Sequence, residues 1–179
     1  MHVELRGRAR VFGDDINDDY IITSSRKRET IDASQLRHYL LETIDPAFAG
    51  SVGDGDLLVA GRNFGCGSAM EVAATVILGA GIKAVIARSF ARTFYRNAIN
   101  NGLLPIECDT SVIHEGDSLS IRLDGNRSVV HDQTHGVTLH ASPLPPIMTA
   151  ILECGGLVEA VRRYGSLRVI PSGSEGSSV

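Results

Sequence analysis

The sequence predicts an α/β fold, because strand-like and helix-like segments alternate through its centre. Two short runs at residues 57–60 and 83–87 are almost wholly apolar, as is typical of strands buried on both faces of a sheet. Helix-like segments follow them at 69–78 and 89–101, and the second carries apolar side chains at helical spacing. A third strand at 104–108 completes a βαβαβ pattern, which favours parallel strands joined by right-handed crossovers.

The segments before this centre are less regular. Apolar and polar residues alternate through 3–12, which predicts a half-buried strand, and residues 13–15 predict a turn after it. The stretch 23–30 is polar and basic, and we interpret it as a solvated turn. Asp32 and Gln35 then form a capping-box pattern, which predicts the start of a helix.

The segments after the centre predict more strands and a final helical region. Strands are expected in 116–139 around a turn at 124–126. Residues 147–164 have a helical pattern that two glycines interrupt. The tail 171–179 is rich in serine and glycine, which predicts disorder. We therefore expect one domain over residues 1–170, followed by this tail.

Composition excludes several classes of function. Of 179 residues, 43% are hydrophobic and 21% are charged, and the net charge of −4 is not that of a nucleic-acid-binding domain. No apolar run could cross a membrane, and the start lacks a signal-peptide pattern, so we expect a cytoplasmic protein. The three cysteines and the histidines show no ligand spacing, so no metal site is predicted in this chain.

The loop at residues 61–68 is the most informative segment. It joins a predicted buried strand to a predicted helix, which in a parallel sheet is where ligands bind. Its glycines permit tight turns and close approach of a ligand to the backbone. Ser68 is expected at the helix N-cap, with Glu71 completing a capping box, where an anion is favoured. Most such serines only cap a helix, and the loop lacks the lysine of a P-loop.

Two motifs in this order resemble a known family. The loop residues NFGCGS at 63–68, followed by GIKAVIARSFARTFYRNAINNGLLPIE at 81–107, resemble the small subunits of 3-isopropylmalate dehydratases and the swivelling domain of aconitases. The earlier segment GDDINDDYII at 13–22 is similar to that family's G-D-N-I-x-T-D-x-I-I signature. A lone GCGS would be weak, but two motifs at the family's spacing are specific.

The resemblance implies a swivelling β/β/α domain that closes over a large subunit. In the family, that partner holds a [4Fe–4S] cluster, so none is expected in this chain. The reaction removes water from a hydroxy-dicarboxylate and returns it in the other orientation, as in leucine biosynthesis. The matching positions make Ser68 the general base and Asp19 an active-site carboxylate. Gly67, Ala69 and Met70 are expected to contact the substrate.

The sequence departs from the family within the loop. The family reads G-C-G-S-S-R-E-H-A, whereas Ala69, Met70 and Val72 replace its second serine, its arginine and its histidine. Methionine cannot supply the charged contact that arginine makes with a carboxylate. The basic segment 26–28 and Arg62 are candidates for the missing cation, and of these we expect Arg26 and Arg28 to bind substrate.

Three interpretations of the chain therefore stay open. It is a true isopropylmalate dehydratase subunit, a subunit of a related hydro-lyase for another hydroxy-diacid such as a methylated malate, or a non-catalytic partner. The apolar Met70 favours the second, since it could face an alkyl group. A dinucleotide-binding fold is disfavoured, because Met70 stands where the third glycine of G-x-G-x-x-G would be. A pure interaction module is also possible. If the chain were one, the Ser68→Ala substitution would not alter turnover.

Overall fold

A seven-stranded mixed sheet organises the computed structural model, which describes residues 2–68, 71–125 and 127–166. In this part of the chain the strand order is 4-3-2-1-5-6-7. The strands are β1 (His2–Val11), β2 (Leu57–Ala60), β3 (Ala84–Ala87), β4 (Leu104–Glu107), β5 (Ser118–Asp124), β6 (Arg127–Asp132) and β7 (Val137–His140).

The central strand β1 joins a parallel half to an antiparallel half. It pairs in parallel with β2, where Ala9 lies opposite Leu57, and β2, β3 and β4 are parallel in turn. On its other edge β1 pairs antiparallel with β5, where Leu5 lies opposite Ile121. The parallel half confirms the predicted βαβαβ unit, and the antiparallel half confirms the strands expected in 116–139.

Helices cover one face of the parallel half. The crossover helices α5 (Glu71–Gly79) and α6 (Arg92–Asn100) connect its strands. Near the end of the chain, α7 (Pro146–Glu153) and α8 (Leu157–Tyr164) confirm the predicted helical region and its interruption. No helix in the described ranges is long and apolar enough to cross a membrane. The helices are α1 (Asp18–Ile21), α2 (Ser24–Glu29), α3 (Ala33–Leu36), α4 (Phe48–Ser51), α5 (Glu71–Gly79), α6 (Arg92–Asn100), α7 (Pro146–Glu153) and α8 (Leu157–Tyr164).

Alternation along the strands divides the core into two layers. Leu58 and Ala60 of β2 point into a cluster that includes Ile77 of α5, whereas Leu57 and Val59 point into a second cluster. That second cluster contains side chains of β5 and β6. The sheet therefore curls, so that its antiparallel half covers the face of the parallel half that the helices leave open.

Two segments differ from the prediction. The basic stretch 23–30 is not a turn but contains the helix α2, whose first turn is capped by the Thr23 hydroxyl. The helix predicted from Asp32 lasts only one turn and continues as a 3₁₀ helix, Arg37–Tyr39. It stops at Leu40, whose ψ of 120° is no longer helical, and Leu41 then turns at φ 57° with its side chain buried in the core.

The limits of the domain stay predictions. The predicted tail 171–179 lies outside the described residues. So do Ala69 and Met70, between the glycine-rich loop and α5. The single domain over 1–170 is thus expected from the sequence and is compatible with the shared sheet.

Candidate active site

Three loops meet where β1, β2 and β3 end. The backbone of segment 13–18, after β1, pairs with the loop 61–68, after β2: the Gly65 N–H donates to the Ile16 carbonyl at 2.8 Å, and the Asp18 N–H to the Cys66 carbonyl at 2.7 Å. The third loop follows β3, and its Ala91 N–H donates to the Phe64 carbonyl of the loop 61–68 at 2.9 Å. The two motifs are separate in sequence, but the parallel sheet brings them together at one edge.

Asn17 and Gly67 are in tight contact within this junction. The Asn17 side chain caps α1 by accepting the Asp19 N–H at 2.9 Å. A Cβ atom at Gly67, whose φ is 110°, would lie 2.5 Å from the Asn17 Oδ1. The glycine is therefore required for the close approach of the protein's own side chain, rather than only of a ligand as the sequence had suggested. Asn17 was not among the predicted site residues. It lies directly before α1, and asparagine is a typical residue at such an N-cap position.

Two non-glycine residues of the same junction have left-handed backbone conformations. Asp15 has a φ of 55° and Asn63 a φ of 59°, and the Asn63 amide donates to the Asp15 carboxylate at 2.8 Å. Such conformations cost free energy and persist where the surrounding structure enforces them, often at functional sites. This geometry supports the assignment of function to this edge of the sheet.

The Asp19 carboxylate lies beside the basic helix α2. Its Oδ1 accepts the Ser24 hydroxyl at 2.6 Å and the Lys27 ammonium at 3.3 Å. The Ser24 hydrogen bond and, after it, the Lys27 charge lower the pKa of the Asp19 carboxyl. Asp19 is therefore ionised at neutral pH and can accept hydrogen bonds but cannot donate a proton. Half of its side chain is exposed, whereas only 10% of the Lys27 side chain is.

The chain is similar to known proteins over nearly their whole length. Residues 21–111 match the aconitase C-terminal domain. The chain is 45% identical to "3-isopropylmalate dehydratase small subunit 1" of Methanopyrus kandleri, covering 92% of this chain and 96% of the relative. It is 40% identical to "3-isopropylmalate dehydratase small subunit 2" of Archaeoglobus fulgidus, covering 93% and 100%. The chain belongs to the family of 3-isopropylmalate dehydratase small subunits.

A solved structure of this family has the same fold. The crystal structure of 3-isopropylmalate dehydratase from Methanocaldococcus jannaschii matches with a TM-score of 0.85 at 42% identity, over 90% of this chain and 95% of that one. The comparison confirms the predicted aconitase-type swivelling β/β/α fold. It also confirms the family inferred from the two sequence motifs.

The predicted base, Ser68, is exposed and lies two residues beyond the Cys66 carbonyl that binds segment 13–18. The described part of α5 begins at Glu71, so the cap predicted at Ser68 stays a prediction. Ala69 and Met70, both predicted to bind substrate, lie outside the described residues. Ser68 and Asp19 thus belong to the two segments that the backbone pairing joins.

The predicted substrate-binding arginines have different surroundings. The Arg26 Nε and Nη2 donate to the two carboxylate oxygens of Glu42 at 3.0 and 3.2 Å, and its guanidinium stacks 3.7 Å from the Tyr39 ring. A substrate carboxylate would have to compete with Glu42 for this cation. Arg28 is exposed on α2. Arg62 is paired with Asp14 at 3.2 Å.

The loop cysteine is not poised for chemistry. Burial raises the pKa of the Cys66 thiol, and the neighbouring Asp15 and Asp18 raise it further. The thiol therefore stays protonated at neutral pH, and a protonated thiol is a poor nucleophile and a poor metal ligand. Cys66 contributes to the loop structure by its backbone carbonyl, which accepts a hydrogen bond from the Asp18 N–H.

Gly65→Ala should destabilise the protein strongly, because this glycine lies against the aromatic core. Its φ is 75°, and a Cβ would lie 2.2 Å from the Phe94 Cγ. A left-handed non-glycine residue costs about 1–2 kcal/mol, and overpacking adds about 1–3 kcal/mol. We expect the free energy of unfolding, measured by denaturant titration, to fall by about 2–5 kcal/mol.

The matched control is Gly13→Ala in the partner segment. A Cβ there meets nothing within 4 Å, so its unfolding free energy should change by no more than about 0.5 kcal/mol. Equal stability of the two variants would contradict the close packing at Gly65.

Proposed function

We propose that this chain is the small subunit of a two-subunit hydro-lyase that interconverts 2- and 3-isopropylmalate by removing and returning water, a step of leucine biosynthesis. The observation that carries the proposal is the backbone pairing of the Asp19 segment with the Ser68 loop. It is supported by the identity of 40–45% to dehydratase small subunits over almost their full length. The proposed partner is an iron–sulfur large subunit, and the proposed substrate is a small hydroxy-dicarboxylate.

Ser68 is the proposed general base. Its exposed position lets its oxygen, as the alkoxide, reach a substrate held by the large subunit and take the proton from the carbon adjacent to the one that bears the departing hydroxyl. A serine hydroxyl is a weak base, so its alkoxide form needs stabilisation. The N-terminal end of α5, which begins three residues further on, supplies a positive dipole and free N–H groups for that purpose.

Asp19 is proposed to orient the water. Because its pKa is lowered, its carboxylate stays ionised and accepts hydrogen bonds from the leaving and returning water. Ser24 and Lys27 fix this carboxylate from one side, while the Asn17 cap fixes the backbone from which it projects. A half-exposed carboxylate held in this way can face a partner surface without rotating away.

We propose that the large subunit, not this chain, holds the iron–sulfur cluster. Clusters are held by cysteine thiolates, whereas here Cys108 is buried with a pKa raised to about 12 by burial and by Asp109. Cys66 lies in the loop and Cys154 follows α7, and both are free thiols. No cysteine in the described ranges belongs to a group of three metal ligands. When bound in the partner, the cluster would act as a Lewis acid on the leaving hydroxyl.

Lys27 is our proposed substitute for the arginine that Met70 replaces. All three of these cations are paired: Arg26 with Glu42, Arg62 with Asp14, and Lys27 with the proposed active-site carboxylate of Asp19. Lys27 is chosen for this position, because an ammonium has three N–H donors and can bind Asp19 and a substrate carboxylate at once. The proposal makes α2, rather than the loop before α5, the source of the positive charge.

Lys27→Met should raise the KM for the dicarboxylate in the assembled enzyme by about tenfold to a hundredfold, the effect of losing one charge-assisted hydrogen bond. Lys27→Arg should restore part of the affinity. The exposed Arg37, on the 3₁₀ helix, provides the control Arg37→Met with unchanged KM. A rise in KM confined to Arg28→Met would identify Arg28 as the cation instead.

A related hydro-lyase for a methylated malate is the second candidate, favoured by the apolar Met70. The deciding experiment is co-expression with the cognate large subunit, anaerobic cluster reconstitution, and turnover of isopropylmalate, citraconate, dimethylmalate and cis-aconitate. Fastest turnover of isopropylmalate supports the main proposal. Preference for dimethylmalate or citraconate would replace it by the second candidate. A cluster-loaded complex without any turnover would favour a non-catalytic partner.

A cytoplasmic location stays part of the proposal. Its support is the set of free thiols at all three cysteines, which suits a reducing compartment. The net charge of −4 likewise supports a small-molecule substrate rather than nucleic acid.

A further inference from the structure

Two histidines that are 21 positions apart in sequence meet at the edge of the antiparallel half. His114 and Asp117 belong to the connection before β5, and His135 belongs to the turn between β6 and β7. Among the described residues, these three form the one group of histidine, cysteine or acidic side chains whose ligand atoms all lie within 4.8 Å of one another. This group could not be predicted from the sequence, because only the pairing of the strands brings the two turns together.

The spacing within the trio is close to that of a metal coordination sphere. The His135 Nδ1 lies 3.4 Å from the Asp117 Oδ2, and the His114 Nδ1 lies 3.7 Å from the same oxygen. Ligands about 2.0–2.1 Å from a tetrahedral zinc ion are about 3.3 Å apart. Small side-chain rotations would therefore bring all three groups into contact with one ion.

Each ligand is held by the loop that carries it. The His114 N–H donates to the Asp117 Oδ2 at 2.7 Å, and the Asp117 carbonyl accepts the Ala9 N–H of β1 at 2.8 Å. Asp132, whose side chain is fully buried, accepts the His135 backbone N–H at 3.2 Å and lies 2.9 Å from its Nδ1. Asp132 and Asp117 thus face the same ring nitrogen of His135. An ion would replace the Asp132 hydrogen bond at this nitrogen, while the backbone N–H bond to Asp132 keeps the turn in place.

The two loops are also tied to each other. The Ser118 N–H donates to the Thr134 hydroxyl at 2.8 Å, and the Gln133 N–H to the Ser118 carbonyl at 2.8 Å. The site is thus prearranged, and its ligands need not be gathered from flexible segments. The imidazoles of His114 and His135 are 70% and 46% exposed, so an ion can enter from solvent.

We propose that His114, Asp117 and His135 bind a divalent transition-metal ion of the zinc type, with water as the fourth ligand and Asp132 holding the His135 backbone. Nitrogen and carboxylate ligands in a tetrahedral set suit Zn²⁺. The ion would join the connection before β5 to the turn after β6. Without metal, the two rings are held by ion pairs of His135 with Asp132 and of His114 with Asp117. A shared ion would hold the same two rings, which lie 5.4 Å apart, through one centre.

The test is titration of the untagged, reduced, metal-free full chain with Zn²⁺ by calorimetry, and with Co²⁺ by absorption spectroscopy. We expect one ion per chain, visible bands of tetrahedral Co²⁺, and no near-ultraviolet band from cysteine ligation. His135→Ala and Asp117→Asn should each weaken binding by about tenfold or more. Zn²⁺ should also raise the melting temperature of the wild type but not of the double variant His114→Ala/His135→Ala.

The matched control is His140→Ala, an exposed histidine of β7 outside the trio, which should bind Zn²⁺ as the wild type does. Circular dichroism of each variant shows whether it is folded. Asp132→Asn keeps all three ligands and removes a charge that holds the His135 Nδ1, so it should bind Zn²⁺ at least as tightly as the wild type does. Absence of stoichiometric binding by the folded wild type would overturn the proposal. Binding that survives the double histidine variant would overturn it as well.

Discussion

Ser68→Ala should lower the kcat of the assembled enzyme by about a hundredfold to ten-thousandfold, the usual contribution of a general base. Alanine removes only the hydroxyl, which the proposed mechanism uses to take the proton from carbon. The Ser68 side chain takes no part in the packing of Gly67 against Asn17 or in the hydrogen bond between the Asp18 N–H and the Cys66 carbonyl. Substrate binding and subunit assembly should therefore be nearly unchanged, so that kcat falls while KM stays close to that of the wild type.

The measurement combines steady-state turnover of isopropylmalate with size-exclusion chromatography of the complex. Ser142→Ala serves as a matched control, because Ser142 is exposed beyond β7 and its backbone N–H binds the Glu107 carbonyl. Turnover of Ser68→Ala at the wild-type rate would exclude Ser68 as the base. Loss of the complex rather than of kcat would assign Ser68 to docking instead.

Asp56→Ala should lower the free energy of unfolding by about 3–5 kcal/mol, because it removes a buried carboxylate that three donors share, one of them the buried Arg10. The Asp56 Oδ2 accepts Arg8 at 2.9 Å, Arg10 at 3.2 Å and the Gly53 N–H at 3.0 Å. Only 9% of the Arg10 side chain and 7% of the Asp56 side chain are exposed. Arg10 would keep its bonds to Glu115 and Ser51 but would lose Asp56, the buried one of its two carboxylate partners.

Denaturant unfolding of the variant alongside Asp54→Ala measures this contribution. Asp54 is exposed in the same turn, so its loss should change stability by no more than about 0.5 kcal/mol. An Asp56→Ala variant as stable as Asp54→Ala would mean that water or Glu115 compensates the Arg10 charge, and the buried pair would then have no net effect.

The same carboxylate should contribute to acid sensitivity. Burial by itself would raise the pKa of the Asp56 carboxyl, but the hydrogen bonds from Arg8, the Gly53 N–H and Arg10 outweigh it, and the net pKa is lowered. The unfolded state therefore takes up the proton first. The stabilisation is complete above the unfolded pKa of about 3.9 and is lost as the pH falls through the lower folded value. Asp56→Asn should accordingly show a flatter loss of stability in acid than the wild type does.

The strands were predictable because their chemistry is local. Runs such as Leu57–Ala60 are apolar at every position, and only a strand covered on both faces buries all four side chains. The α6 helix was predictable for a related reason, since Phe94 and Ala98 recur at helical spacing and both are buried. The two family motifs likewise predicted Ser68 and Asp19 as site residues from sequence alone, and these assignments stay predictions.

The helix α2 could not be predicted, because its stability depends on distant residues. None of its six residues is buried, so no apolar periodicity marks it. Thr23 caps its start, while Glu42 and Tyr39 bind Arg26 from another segment. Sequence patterns within 23–30 contain none of these partners, and the segment therefore resembled a turn.

The amino-acid sequence by itself determined the α/β class, the family and the residue types of the proposed active site, because these follow from apolar patterns and short motifs. The tertiary structure decided which of the basic side chains are already neutralised, that Asn17 packs against Gly67, and that His114 meets His135. These are contacts between segments far apart in the chain. They depend on strand order and register, which only the packing of the whole sheet defines.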